Sequence, residues 1–203
     1  MKETQAASSP AHRRLQLTGG LCGIIGIILP MGMIFVAIQR SPWFDWRTNV
    51  LSDLGVHNTA PLFNSAMILG GILTLVFVFG LRSFLSKTKL TTSGIACLLL
   101  GSISLIFIGI FTLAIPVIHA IVAYSYFTLT PLGMLLIAFG ERTVRLRWFS
   151  VIVGCSALLA IYLIPFALTP FSLGFGIPEL LETSMLEIWV IILSVMLLRG
   201  QRA

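Results

Sequence analysis

The sequence predicts an all-α, polytopic membrane protein: six transmembrane helices, N-in/C-in, with a structured outer loop between helices 1 and 2. Three observations carry that expectation. Hydrophobic residues make up 57% of the 203-residue chain and charged residues only 10%, whereas a soluble domain carries about 25% charged residues. Too little polar surface exists to coat a water-soluble core, and the mean hydropathy of +1.02 agrees. Apolar runs of about 20 residues, the length that crosses a hydrocarbon core of roughly 30 Å, recur along the chain. Finally, the Lys and Arg residues fall almost entirely in alternate gaps between those runs.

The expected spans are 17–38, 62–81, 92–113, 118–139, 148–168 and 180–198. Residues 1–16 are polar and include Ser8-Ser9-Pro10, so they read as a mobile cytoplasmic tail. The six spans form one transmembrane domain over 17–198, and 199–203 form a second cytoplasmic tail. Arg13-Arg14 ahead of an apolar run resembles a secretion signal. The run is too long for a signal core, no small-x-small cleavage site follows, and five more spans come after it. Spans three and four have no charged break between them. As one helix, 95–139 would be roughly 68 Å long, over twice the bilayer. Pro116, with His119 close behind, is the natural turning point.

Charge then orients the ladder. Lys2, Arg13 and Arg14 precede span one, and Arg82, Lys87 and Lys89 lie between spans two and three. Arg142, Arg145 and Arg147 lie between four and five, and Arg199 and Arg202 follow six. Only Arg40 and Arg47 fall on the other side, so both termini are expected in the cytoplasm. Trp43, Phe44 and Trp46 would sit at the outer interface and Trp148 at the inner one. A prokaryotic plasma membrane is the expected location. The net charge of +6 comes from short clusters beside apolar spans, which retention on the cytoplasmic side explains, so nucleic acid is not an expected partner.

Cys22, Cys97 and Cys155 all fall inside spans and lack Cys-x-x-Cys pairing, which argues for packing thiols rather than a disulfide scaffold. Gly19, Gly20, Gly23 and Gly26 give span one a small face, and Gly101, Ser102, Ser104 and Gly109 do the same for span three. Such faces let helix backbones approach closely in lipid.

The polar residues that remain gather on the outer side. The loop 39–61 is too apolar for a floppy connection, so a short helix or re-entrant segment is expected there. Were 49–57 helical, Asp53 and His57 would share a face. Ser52 or Asp53 would equally serve as a cap, with Gly55 permitting a turn. His119 opens span four, with Tyr126 seven residues on and nearly on the same face. Glu179 and Glu182 open span six, where carboxylates favour the helix dipole. Glu187 lies deeper, and an ionisable group at that depth should face the bundle interior beside a partner such as His57, His119 or a tyrosine hydroxyl.

The element Asn49-Val50-Leu51-Ser52-Asp53-Leu54-Gly55, followed by Phe63-Asn64 and Gly70-Gly71, resembles the opening half of domain-of-unknown-function family 998. Gly109-Ile110-Phe111 with His119 shortly after it resembles that family's later motif. Where family members often carry Pro and acidic residues before this His, the chain has Thr112-Leu113-Ala114-Ile115. A remoter likeness links the Ser-Asp-x-Gly loop to six-helix Frag1/DRAM/Sfk1-like proteins. The resemblance implies the six-helix fold and an outer site built on Ser52, Asp53 and His119.

Three functional readings remain open. The first is a metal-assisted hydrolase acting on a lipid or other amphiphile. Ser52, Asp53, His119 and Glu187 would be its catalytic candidates and Asn49, Tyr126 and Glu182 would contact substrate. Asp53, His57, His119 and Glu182 would hold a metal such as zinc, which accepts His nitrogen and carboxylate oxygen. The second is binding or transport of a small molecule, lipid or proton through a helix-bundle cavity. The third is a sensor or scaffold that recognises a partner through the outer loop. Orientation is testable independently of function. In a cysteine-free background, Thr48→Cys should react with a membrane-impermeant maleimide in intact cells, and Lys87→Cys should react only after the cells are opened.

Overall fold

The computed structural model describes residues 10–163 and 176–200. It is all-helical among these residues. Six helices are long and apolar enough to cross a membrane: α1 (Pro10–Gln39), α2 (Ala60–Phe84), α3 (Lys89–Ile110), α4 (Pro116–Gly140), α5 (Val144–Tyr162) and α6 (Gly176–Arg199). Between α1 and α2 lies a short 3-10 helix, Leu51–Gly55. Pro116 and Pro61 stand at the starts of α4 and α2, where the missing N–H has no intrahelical partner to lose. The far end of the fifth expected span, 164–168, lies outside the described residues.

Each helix packs on the next, and α6 returns to α1, so the six close into a ring. Contacts across the ring are few and run from α2 and α4 to α6. The two ends of the ring differ. At one end, here called the basic end, the α2–α3 and α4–α5 connections are tied together by Glu141. Its Oε1 accepts from the Ser86 backbone N–H at 2.8 Å and from the Ser86 hydroxyl at 2.6 Å. Thr88 caps α3 by accepting from the Thr91 N–H at 3.1 Å. The opposite, loop end carries the α1–α2 connection.

Helix α1 starts at Pro10, seven residues before the expected boundary of 17, so residues 10–16 are helical; the rest of the first expected tail, 1–9, and 201–203 of the second lie outside the described residues. The reason lies far away in sequence. The Arg13 guanidinium donates to the carbonyls of Leu197 (2.8 Å) and Leu198 (2.6 Å) at the C-terminus of α6. Those carbonyls lie at the negative end of the helix dipole, and the Leu197 carbonyl also accepts from the Gly200 N–H at 3.2 Å.

The glycine faces do what their spacing predicts. A Cβ at Gly19 would meet Gly80 Cα, and one at Gly23 would overlap Phe77 and the Ser194 hydroxyl, so α2 and α6 both lie against the backbone of α1. A packed core of Phe77, Leu81, Met134, Ile137, Trp189, Leu193 and Leu197 fills the basic-end half of the ring. A smaller cluster of Ile34, Ala37, Leu51, Leu54, Phe63 and Ala66 joins the loop to α1 and α2. The outward surface is apolar, with Ile28, Val117, Ile121 and Ile152 each more than 60% exposed, as a lipid-facing surface requires.

Gly23→Ala should therefore lower thermal stability in detergent by about 1–3 kcal/mol, the usual range for overpacking. Gly32→Ala, where an added Cβ meets nothing within 4 Å, should be neutral or stabilise by up to ~1 kcal/mol through helix propensity.

Candidate functional site

On α6, Glu179, Thr183 and Glu187 recur every fourth residue and so fall on one helix face. That face lines a cavity of ≈ 240 Å³ inside the ring. Tyr126 and Thr130, also four apart, line it from α4, Ser102 from α3, and Ser52 from the loop. The remaining wall is apolar and rich in aromatic rings, including Phe35, Trp46, Phe63, Phe77, Phe127 and Trp189. Among the described residues no Lys, Arg or His lines it.

The cavity runs from the loop, at Trp46, Leu51 and Ser52, down to Phe77, Met134 and Trp189. The last three are fully buried and, with Leu81, Ile137 and Leu193 behind them, form a solid floor. Trp189 is fixed in place by its indole N–H, which donates to the Ser150 hydroxyl at 2.8 Å. The cavity thus ends blindly near the middle of the bundle.

The roof is the α1–α2 connection. Its ends are joined by the Ser41 and Thr59 hydroxyls, 3.2 Å apart. Asp53 Oδ2 accepts from the Val50 N–H (3.0 Å) and from the Asn49 amide (2.9 Å), which winds the chain into the 3-10 helix. The Leu51 N–H donates to Glu179 Oε2 at 2.7 Å, latching this helix to the first turn of α6. Asn64 holds the other end by donating to the Gly55 carbonyl at 3.1 Å. Gly55 is required by this close approach, since a Cβ there would overlap the Asn64 side chain. It does not adopt the left-handed conformation expected of a turn glycine.

Geometry separates several residues that the sequence grouped together. The loop helix is a five-residue 3-10 helix instead of an α-helix over 49–57, so Asp53 and His57 do not pair. The His57 ring instead lies against Trp43, with centroids 4.2 Å apart. His119 is buried, and its Nδ1–H donates to the Phe111 carbonyl at 2.7 Å, closing the α3–α4 turn. Glu182 is fully buried on α6, and neither of its carboxylate oxygens has a hydrogen-bond partner. Among the described residues no group of three or more His, Cys, Asp or Glu stands together to hold a metal ion, so Asp53, His57, His119 and Glu182 do not form the expected set. Ser52 does reach the cavity, as do Tyr126 and Glu187. Tyr126 and Glu187 line the same cavity, whereas His57 and His119 do not.

The chain belongs to the DUF998 family of proteins of unknown function. The match covers residues 24–196, from α1 through α6. No curated protein and no solved structure shows a significant match. The family resemblance read from Asn49–Gly55 and the His119 region is therefore borne out. In this DUF998 protein those two motifs form the roof of the cavity and the α3–α4 turn.

The sequence reading missed Thr183, Thr130 and Ser102, and treated Glu179 only as a helix-dipole carboxylate. The four-residue spacing of Glu179, Thr183 and Glu187 was the available signal for Thr183. Because Asp53 and Glu179 hold the roof by charge-assisted hydrogen bonds, Asp53→Ala or Glu179→Ala should each loosen it by about 1–3 kcal/mol. Faster amide hydrogen exchange confined to residues 49–56 would report this, with the helices unchanged.

Proposed function

We propose that this DUF998 protein is a ligand-binding membrane protein, taking a small, largely apolar molecule with a polar group into the cavity at the centre of its helix ring. The carrying observation is a blind cavity that is apolar on most sides and crossed by one polar stripe, Ser52, Glu179, Thr183, Glu187 and Tyr126. Ligand sites have this character: mostly hydrophobic walls with a few polar groups that set orientation. An apolar cavity of about 150 Å³ already accepts benzene, and this one is larger at ≈ 240 Å³.

The packed floor favours binding over a continuous path through the bundle in this conformation. The loop end would face outward, a reading supported by the eleven of thirteen basic residues that the sequence assigns to the other side. Ligand would then enter from the outer side or outer leaflet, past the roof held by Glu179. Asp53 and His119, each committed to a backbone partner, would serve as supports of that roof and of the α3–α4 turn.

Ala123 lines the cavity one turn before Tyr126 and provides the test. Saturating indole should raise the melting temperature of the wild-type protein in nonionic detergent, by mass action on the folded state. Ala123→Trp, which fills the cavity from within, should abolish that shift while keeping the protein folded. An indole shift of equal size in both proteins would place the binding elsewhere and sink the proposal.

A further inference from the structure

We infer that the ligand of this cavity is a hydrophobic amine, bound as a cation with Glu187 as its counter-charge. This rests on the cavity-binding reading above and adds the chemical class. Among the described residues the lining contains two carboxylates, Glu179 and Glu187, and no basic side chain. Glu179 already accepts the Leu51 N–H. Glu187 is therefore the carboxylate left for a ligand, about 12 Å below Glu179 at 1.5 Å per residue.

A carboxylate at that depth needs a partner, because lipid and apolar side chains cannot solvate it. The protein supplies hydroxyls nearby, from Tyr126 and Thr183, but no positive charge. The lining thus offers acids and, among the described residues, no base, so it complements a cation and gives an anion no partner.

The walls fit the same class. Phe35, Trp46, Phe127 and Trp189 present aromatic rings around the stripe, and such rings attract cations through their negative faces. A protonated amine also carries up to three donors in a small volume, matching the acceptors Glu187 and Tyr126. An ammonium on an aryl or short alkyl body would thus pair its charge at Glu187 and bury its apolar part against the rings. A carboxylic acid of the same shape would meet like charge.

The test uses the full-length protein in nonionic detergent and three probes built on one phenyl ring: 2-phenylethylamine, 2-phenylethanol and 3-phenylpropionate. Calorimetric titration should show the amine binding roughly tenfold tighter than the alcohol, as a charge-assisted hydrogen bond implies, and no binding of the acid. Glu187→Gln should bring the amine down to the alcohol's affinity and leave the alcohol unchanged. Glu187→Asp, which keeps the charge, should keep the preference. An alcohol that binds as well as the amine to the wild type, or an amine preference that survives in Glu187→Gln, overturns the inference. Should Glu187→Gln fail to fold, the ranking of the three probes on the wild type decides alone. Equal binding of amine and alcohol, both lost in Ala123→Trp, would remove the amine assignment but keep the cavity as a binding site. If no probe binds the wild type, both readings fall together.

Discussion

The cavity exists because the last helix closes on the first. In lipid no hydrophobic force draws helices together, so a ring must be held by close backbone packing and by polar contacts between helices. Both kinds meet where α6 joins α1. Gly20 and Gly23 bring α1 against Ser194 and Leu198 so closely that a Cβ at either glycine would overlap them. Arg13 then binds the last carbonyls of α6. Gly19 meeting Gly80 does the same work between α1 and α2. These contacts concentrate toward the basic end, the same half that the large buried side chains fill.

The loop-end half is built differently, and the difference explains its hollow. There the chain places a connecting segment over the bundle instead of more core. Leu54 is fully buried and Leu51 nearly so, packing on Ile34 and Phe63, so the roof is anchored along the α1–α2 side of the ring. Its ties to the far side are the Leu51–Glu179 hydrogen bond and apolar contact of Leu180 with the same cluster. Pro30 contributes on the α1 wall: it has no N–H for the Gly26 carbonyl, and Gly70 of α2 lies beside it.

The six helices were legible in the sequence because length and hydropathy are local properties, and the break at Pro116 needed only helix geometry. What was not legible depends on pairs distant in sequence. The start of α1 at Pro10 is not local information, because Arg13 finds its acceptors 184 and 185 residues away. Glu179 was read as a dipole carboxylate because its partner, Leu51, is 128 residues away. The proposed metal set failed for a related reason. Polar residues at one end of a bundle share a depth, but the order of helices around the ring decides which of them face each other. His119 turns to a backbone carbonyl, His57 to Trp43, and Asp53 to its own loop. Glu187 lines the cavity, as the depth of its position requires of an ionisable group.

The position of Glu187 also links the cavity to its roof. Glu179 and Glu187 lie on one face of one rigid helix, with Thr183 between them. Glu179 holds the roof, and Glu187 reaches the interior. A shift of α6 large enough to release Leu51 must carry Glu187 with it, because nothing between the two residues interrupts the helix. Conversely, a charge seated at Glu187 acts on the same helix that latches the roof. Ligand occupancy and roof closure would then be two properties of one element, with any coupling between them reciprocal. The packed floor restrains α6 at Trp189 through Ser150 and at Ser194 through α1. Its first turn is held as well, by the Leu51–Glu179 hydrogen bond and by the close approach of Gly176 to the Asn49 carbonyl.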